Sequence, residues 1–186
     1  MKTLAFKSAD YFRVWLTRHH NTCDGIWLRI FKKDSGKRTV TYAQALDQAL
    51  CFGWIDGLKK SHDELSWIQR FTPRRPKSGW SKLNMQHVER LFAAGHVTDA
   101  GLKAVAAAKA DGRWQAAYDS HGTASPPDDF LKALGKLKQA KAFFETLNRA
   151  NIYAIVYRLQ TAKKPETRER RMKNILAMLV RGEKFH

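Results

Sequence analysis

An α+β fold is predicted for the 186-residue chain, with a small antiparallel sheet and helices in the N-terminal half and a helical C-terminal half. Three features predict it. Ile26-Trp-Leu-Arg-Ile-Phe31 alternates with period two and is rich in β-branched and aromatic residues, as a half-buried strand is. Thr41-Tyr-Ala-Gln44 is a capping box, and Tyr42, Leu46 and Leu50 follow it at helical spacing. Beyond residue 80 the period changes to that of helices, punctuated by Gly95, Gly112 and Gly182.

Taken in order, Tyr11, Val14 and Trp15 predict a short helix ending near His19-His20. The Ile26–Phe31 strand is followed by a turn at Asp34-Ser-Gly-Lys37. The capped helix after Thr41 stops at Gly53. Trp54–Lys60 and Leu65–Thr72 flank a polar Ser61–Glu64 turn and predict a hairpin. A four-residue loop sets Leu58 opposite Trp67 and Asp56 opposite Gln69, so that Trp54, Asp56, Leu58, Trp67 and Phe71 share one face. Gly57 signals a bulge that would shift this register.

In the second half, Ser81 is placed to cap a helix bearing Val88, Leu91 and Phe92. Thr98 is placed to cap one bearing Leu102, Val105 and Ala106. Pro126 or Pro127 suits the first position of a helix with Phe130, Leu131 and Leu134. A helix with Phe143, Phe144 and Leu147 follows, then one capped by Asn151, and a last one starting at Lys164-Pro165. The Pro/Ser/Gly-rich stretch 121–129 reads as a linker between an α+β part, 1–120, and a helical module, 130–186.

Charge is the strongest compositional signal: 34 Lys and Arg face 17 Asp and Glu, a net +17. Residues 132–186 alone carry 14 basic and 4 acidic side chains. Such a surface attracts polyanions or acidic partners, or keeps the chain in solution. Apolar runs never exceed six residues, as in Ile175–Val180, so no membrane-spanning helix is expected. The N-terminus lacks the apolar stretch of a secretory signal, and the expected location is the cytoplasm. Two cysteines 28 positions apart make neither a disulfide framework nor a zinc pattern. No nucleotide-loop, zinc-protease or nucleophile-elbow motif occurs, so no cofactor and no metal are expected.

Seven residues stand out as candidates for ligand binding: Trp54, Asp56, Arg70, Arg74, Trp80, Arg168 and Arg171. On a helical wheel Arg168 starts on the stripe of Met172, Ile175 and Leu179, and Arg171 borders it. A guanidinium there needs a carboxylate partner or an anion. Asp56, between Trp54 and Leu58, is the expected partner of Arg168; it could also serve as a general base. Arg70, Arg74, Arg75 and Lys77 crowd one proline-stiffened segment ending at Trp80, a pattern suited to phosphate contact and base stacking. Cys23, Cys51, His19 and His20 lie in no recognisable catalytic or metal pattern.

Several strings together resemble a known family. They are Trp15-Leu16 with His19, Gly25-Ile-Trp-Leu28, Thr41–Leu46, Ala49-Leu-Cys-Phe-Gly-Trp-Ile-Asp-Gly57, Arg70-Phe-Thr-Pro-Arg74, and Trp80-Ser81 with Asn84. Pro127, then Ala162-Lys-Lys-Pro-Glu-Thr-Arg168 and Arg171, continue the likeness to the C-terminus. Over nearly its whole length the chain resembles the YdeI/OmpD-associated, or bacteriocin-protection, family. The resemblance implies a role tied to bacteriocins or antimicrobial peptides and to an outer-membrane porin, with no established reaction. A cationic chain repels cationic peptides, so any protection is expected to be indirect.

The expectation is therefore a non-catalytic binding module that holds an anionic small molecule or an acidic protein segment. Nucleic-acid binding through the basic C-terminal third, and an undescribed enzyme using Asp56, are the alternatives.

Overall fold

The structure is a computed structural model that describes residues 1–186. The chain divides into two compact units: residues 1–80 with 84–115, and residues 81–83 with 116–186.

The first unit holds a four-stranded sheet in the order β1-β2-β4-β3, formed by β1 (Thr3–Ala5), β2 (Ile26–Phe31), β3 (Trp54–Asp63) and β4 (Ser66–Pro73). The sheet is mixed rather than purely antiparallel. β2, β4 and β3 run antiparallel, but β1 pairs with β2 in parallel. The chain between β1 and β2 includes α1 (Ala9–His19), and parallel neighbours require such a crossover. Three residues are too few to show a period, and β1 was absent from the expected elements.

In β2 the alternation holds: Ile26, Leu28 and Ile30 are buried and their neighbours half-buried. α1 presents Phe12 and Leu16 to the core, while Tyr11 and Val14 point outward. Phe12 meets Phe71 at 5.8 Å between ring centroids, and Trp15 meets the edge of Trp54 at 5.9 Å. α2 (Tyr42–Cys51) opens with the complete capping box of Thr41 and Gln44, and buries Leu46 and Leu50.

α3 (Lys82–Ala93) and α4 (Asp99–Ala110) complete the unit, except that residues 82–83 count with the second. Thr98 stands at the N-cap of α4, but its hydroxyl donates to the Cys51 carbonyl at 2.7 Å instead of capping. The buried face of α4 is Gly101 and Ala108, whereas Leu102 and Ala106 are exposed. Gly101 packs so closely that a Cβ there would lie 2.4 Å from the Cys51 carbonyl oxygen. No larger residue would fit without moving backbone.

The second unit contains α5 (Asp128–Gly135), α6 (Lys138–Glu145), α7 (Arg149–Gln160) and α8 (Pro165–Val180) around Phe130, Leu134, Ile155, Leu159, Ile175 and Leu179. Pro127 is the N-cap of α5 rather than its first helical residue. Asn148, not Asn151, caps α7, its side chain accepting the Asn151 amide at 3.1 Å. Asn151 is buried and binds the 185–186 backbone instead. Residues 81–83 belong to this unit through a bridge from Ser81 to Tyr118 and the Lys82–Asp119 ion pair at 2.8 Å. The hydrogen bond from Lys82 holds the Asp119 carboxyl below its usual range. No helix is long and apolar enough to cross a membrane.

Candidate functional site

The hairpin of β3 and β4 builds the most promising cleft. Its register differs from the simple four-residue-loop reading: Asp56 lies opposite Phe71, Lys59 opposite Gln69 and Ser61 opposite Trp67. The turn is the two residues Glu64-Leu65 rather than Ser61–Glu64, which moves the whole register, and two one-residue shifts, at Asp56/Lys59 and at Ser61/Asp63, then take back part of that offset. The first surrounds Gly57, where an extra residue breaks the ladder. Gln69, which is buried, repairs it by donating its side-chain amide to the Gly57 carbonyl at 2.8 Å.

Arg70 points to the opposite face from Gln69, because successive strand residues alternate. Its guanidinium lies against Gly57, where a Cβ would come within 2.9 Å of Nε. Arg70 Nε is sealed from solvent and has no hydrogen-bond partner. A charged donor in that state carries a desolvation cost that an incoming anion would remove.

Asp24, Asp56, Gly57, Arg70, Arg74 and Arg75 surround this cleft of about 560 Å³. Asp56 accepts a hydrogen bond from the Tyr42 hydroxyl at 2.8 Å. Burial, with the Asp56 charge beside it, pushes the Tyr42 phenol far above its usual value, so Tyr42 stays a neutral donor. Arg74 is anchored by its Nη1 to the Gly79 carbonyl at 3.1 Å and lies 3.5 Å above the Trp80 ring. Arg75 is exposed at the rim.

Of the seven candidates, the cleft collects Asp56, Arg70 and Arg74. Trp54 is buried elsewhere in the unit, its indole N–H donating to the His20 carbonyl at 3.0 Å. Trp80 is also buried, between the Arg74 guanidinium and Trp114 at 5.0 Å. The expected pairing of Arg168 with Asp56 is replaced by partners within each unit. Arg168 grips Asp129 with both terminal nitrogens, one at 2.9 Å, across 39 residues. Arg171 donates to the Arg158 carbonyl at 2.7 Å, near the end of α7. The Cys51 thiol is buried, and burial pushes it above its usual value, which disfavours the reactive thiolate.

Asp24 and Gly57 complete the site without having been singled out as ligand contacts. Gly57 was legible only as a bulge. Asp24 gave no sequence signal beyond the neighbouring Gly25, whose φ of 134° and approach to Phe71 and Thr72 bring that turn onto β4.

Residues 4–104 match the family described as Domain of unknown function (DUF8412), over more than half of the chain. The chain belongs to that family. Residues 123–182 match the model OmdA, described as Bacteriocin-protection, YdeI or OmpD-Associated. The OmdA likeness is thus confined to the C-terminal part, and the DUF8412 match holds the cleft. No match was found among curated proteins or solved structures.

Proposed function

We propose that this chain is a non-catalytic binding protein of the cytoplasm whose N-terminal unit holds a small anionic ligand in the Arg70 cleft. The observation that carries the reading is the buried, unpartnered Nε of Arg70 beside Gly57. Arg74 and Arg75 add positive charge at the cleft. The OmdA match suggests a process linked to bacteriocins, and the +17 charge argues against direct capture of cationic peptides. Anion binding would act indirectly in such a process.

The test is calorimetric titration of the full chain with inorganic phosphate and with citrate. A hydrogen bond to a charged group contributes about 1.5–3 kcal/mol, so Arg70→Gln should weaken binding about ten- to a hundredfold. Gly57→Ala should weaken it as well, because the new methyl displaces the guanidinium, while the unfolding midpoint moves little. The far end of a flexible side chain can yield where backbone cannot. Unchanged affinity in both variants, or no heat with either anion, refutes the reading; selective binding of an acidic peptide would reassign the cleft to a protein partner.

A further inference from the structure

The second unit contains an independent feature. Tyr153 and Tyr157 stand one turn apart on α7. Their rings extend into a row with Tyr118 and His121, at centroid separations of 5.0 Å (Tyr118–Tyr157), 5.9 Å (Tyr153–Tyr157) and 5.1 Å (His121–Tyr153). Tyr157 is 39% exposed and opens onto a groove of about 740 Å³. Arg158, Arg171, Arg181 and Phe185 also line the groove.

The charges there are unevenly balanced. Arg181 is paired with Glu183 at 2.8 Å. Arg158 donates to the Ala154 carbonyl at 3.1 Å and stacks 3.8 Å from the Phe185 ring centre. Arg171 donates Nη1 to the Arg158 carbonyl and to the Thr161 hydroxyl. Both guanidiniums are thus oriented by neutral oxygens rather than by carboxylates. Each keeps further N–H donors, since a guanidinium has five.

We infer that this groove binds single-stranded nucleic acid, with one base stacked on Tyr157 and flanking phosphates on Arg158 and Arg171. An exposed aromatic ring beside fixed, uncompensated guanidiniums is the arrangement that strand-binding proteins use without reading sequence. The excess of 14 basic over 4 acidic side chains in residues 132–186 supplies the long-range attraction. Duplex DNA fits less well, because its bases are already stacked and offer Tyr157 no face. An acidic peptide would use the arginines and leave the aromatic row without a role.

The experiment is fluorescence anisotropy of the full chain with a labelled oligothymidylate of about ten nucleotides, compared with an abasic strand of equal length. The abasic strand should bind about tenfold more weakly, and Tyr157→Ala should lose about the same factor. Tyr157→Phe keeps the ring and should stay within about twofold of the parent. Asn174→Glu adds a negative charge at an exposed groove position and tests the site without touching the core. It should weaken binding severalfold. Two phosphate contacts predict a log–log salt slope of about −1.4 on single strands. Equal binding of the abasic strand or of heparin, preference for duplex, or indifference to both Tyr157→Ala and Asn174→Glu would overturn the inference.

Discussion

Asn151→Ala should destabilise the second unit by about 2–4 kcal/mol. The side chain is 1% exposed and makes four hydrogen bonds. Its oxygen accepts the Phe185 and His186 amides, each at 3.0 Å. Its nitrogen donates to the Asn148 side chain at 2.9 Å and to the His186 carbonyl at 3.2 Å. A neutral hydrogen bond has a net worth of about 0.5–1.5 kcal/mol when the released groups reach water, as a loosened 185–186 segment allows. Four such bonds sum to about 2–6 kcal/mol, and the lower half of that span is expected because bonds sharing one side chain are not additive.

The assay is urea unfolding of the full chain, read by two probes. All six Trp lie in residues 15–114 and all are in the first unit, so indole emission follows that unit. Far-UV ellipticity includes α5 to α8. With an m-value of about 1–1.5 kcal/mol/M, the ellipticity midpoint should fall by about 2 M. Amide exchange at Phe185 should accelerate in parallel. A midpoint within about 0.5 kcal/mol of the parent, with Phe185 exchange unchanged, would refute the reasoning.

Two further outcomes follow from the packing. Arg168 and Asp129 keep 32% and 50% of their side-chain surface, so a double-mutant cycle should give a coupling of about 0.5–1 kcal/mol, well below that of a buried pair. The hydrogen bond from Arg168 holds the Asp129 carboxyl below its usual range; this contribution is present above the unfolded pKa of about 3.9 and should vanish as acid titration passes below the lowered folded value. Gly101→Ala should cost several kcal/mol in urea unfolding, because its methyl would meet the Cys51 carbonyl at 2.4 Å and Val97 at 2.7 Å; a loss under about 0.5 kcal/mol would show that α4 is loosely seated.

Local rules were legible where one residue type has one physical use. The Thr41–Gln44 box and the alternation of β2 are examples, because each is settled within a few residues. Choices between equivalent groups were not. Asn148 and Asn151 are both competent caps, and the first takes the role because the second is claimed by residues 185–186. Thr98 loses its cap to a carbonyl 47 residues away.

The hairpin register was hidden for the same reason. Four polar residues, Ser61–Glu64, are equally suited to a turn, but the strand runs on to Asp63, where Ser66 and Arg29 across the sheet hold its carboxylate. At the candidate site, the crowding of Arg70, Arg74 and Arg75 was visible, but not which guanidinium lacks a partner. The helical wheel placed Arg168 correctly on its stripe. Its partner lies at the start of α5, which the wheel of α8 cannot indicate.

The three residues 81–83 have a practical bearing on dissection of the gene. The chain leaves the first unit at Trp80, contributes Ser81–Leu83 to the second, returns at Asn84, and departs again after Gln115. No single cut therefore releases both modules whole. A fragment beginning at residue 116 would lack Lys82, whose amide donates to the Tyr118 carbonyl at 2.9 Å and whose ammonium neutralises Asp119. A graft of the OmdA match alone, residues 123–182, would also omit Tyr118, Asp119 and the 185–186 segment that Asn151 secures. Transplanting the helical module into another protein thus calls for two pieces of sequence: the continuous stretch 116–186, with its helices and the 185–186 segment, and a short donor peptide standing in for Ser81-Lys82-Leu83.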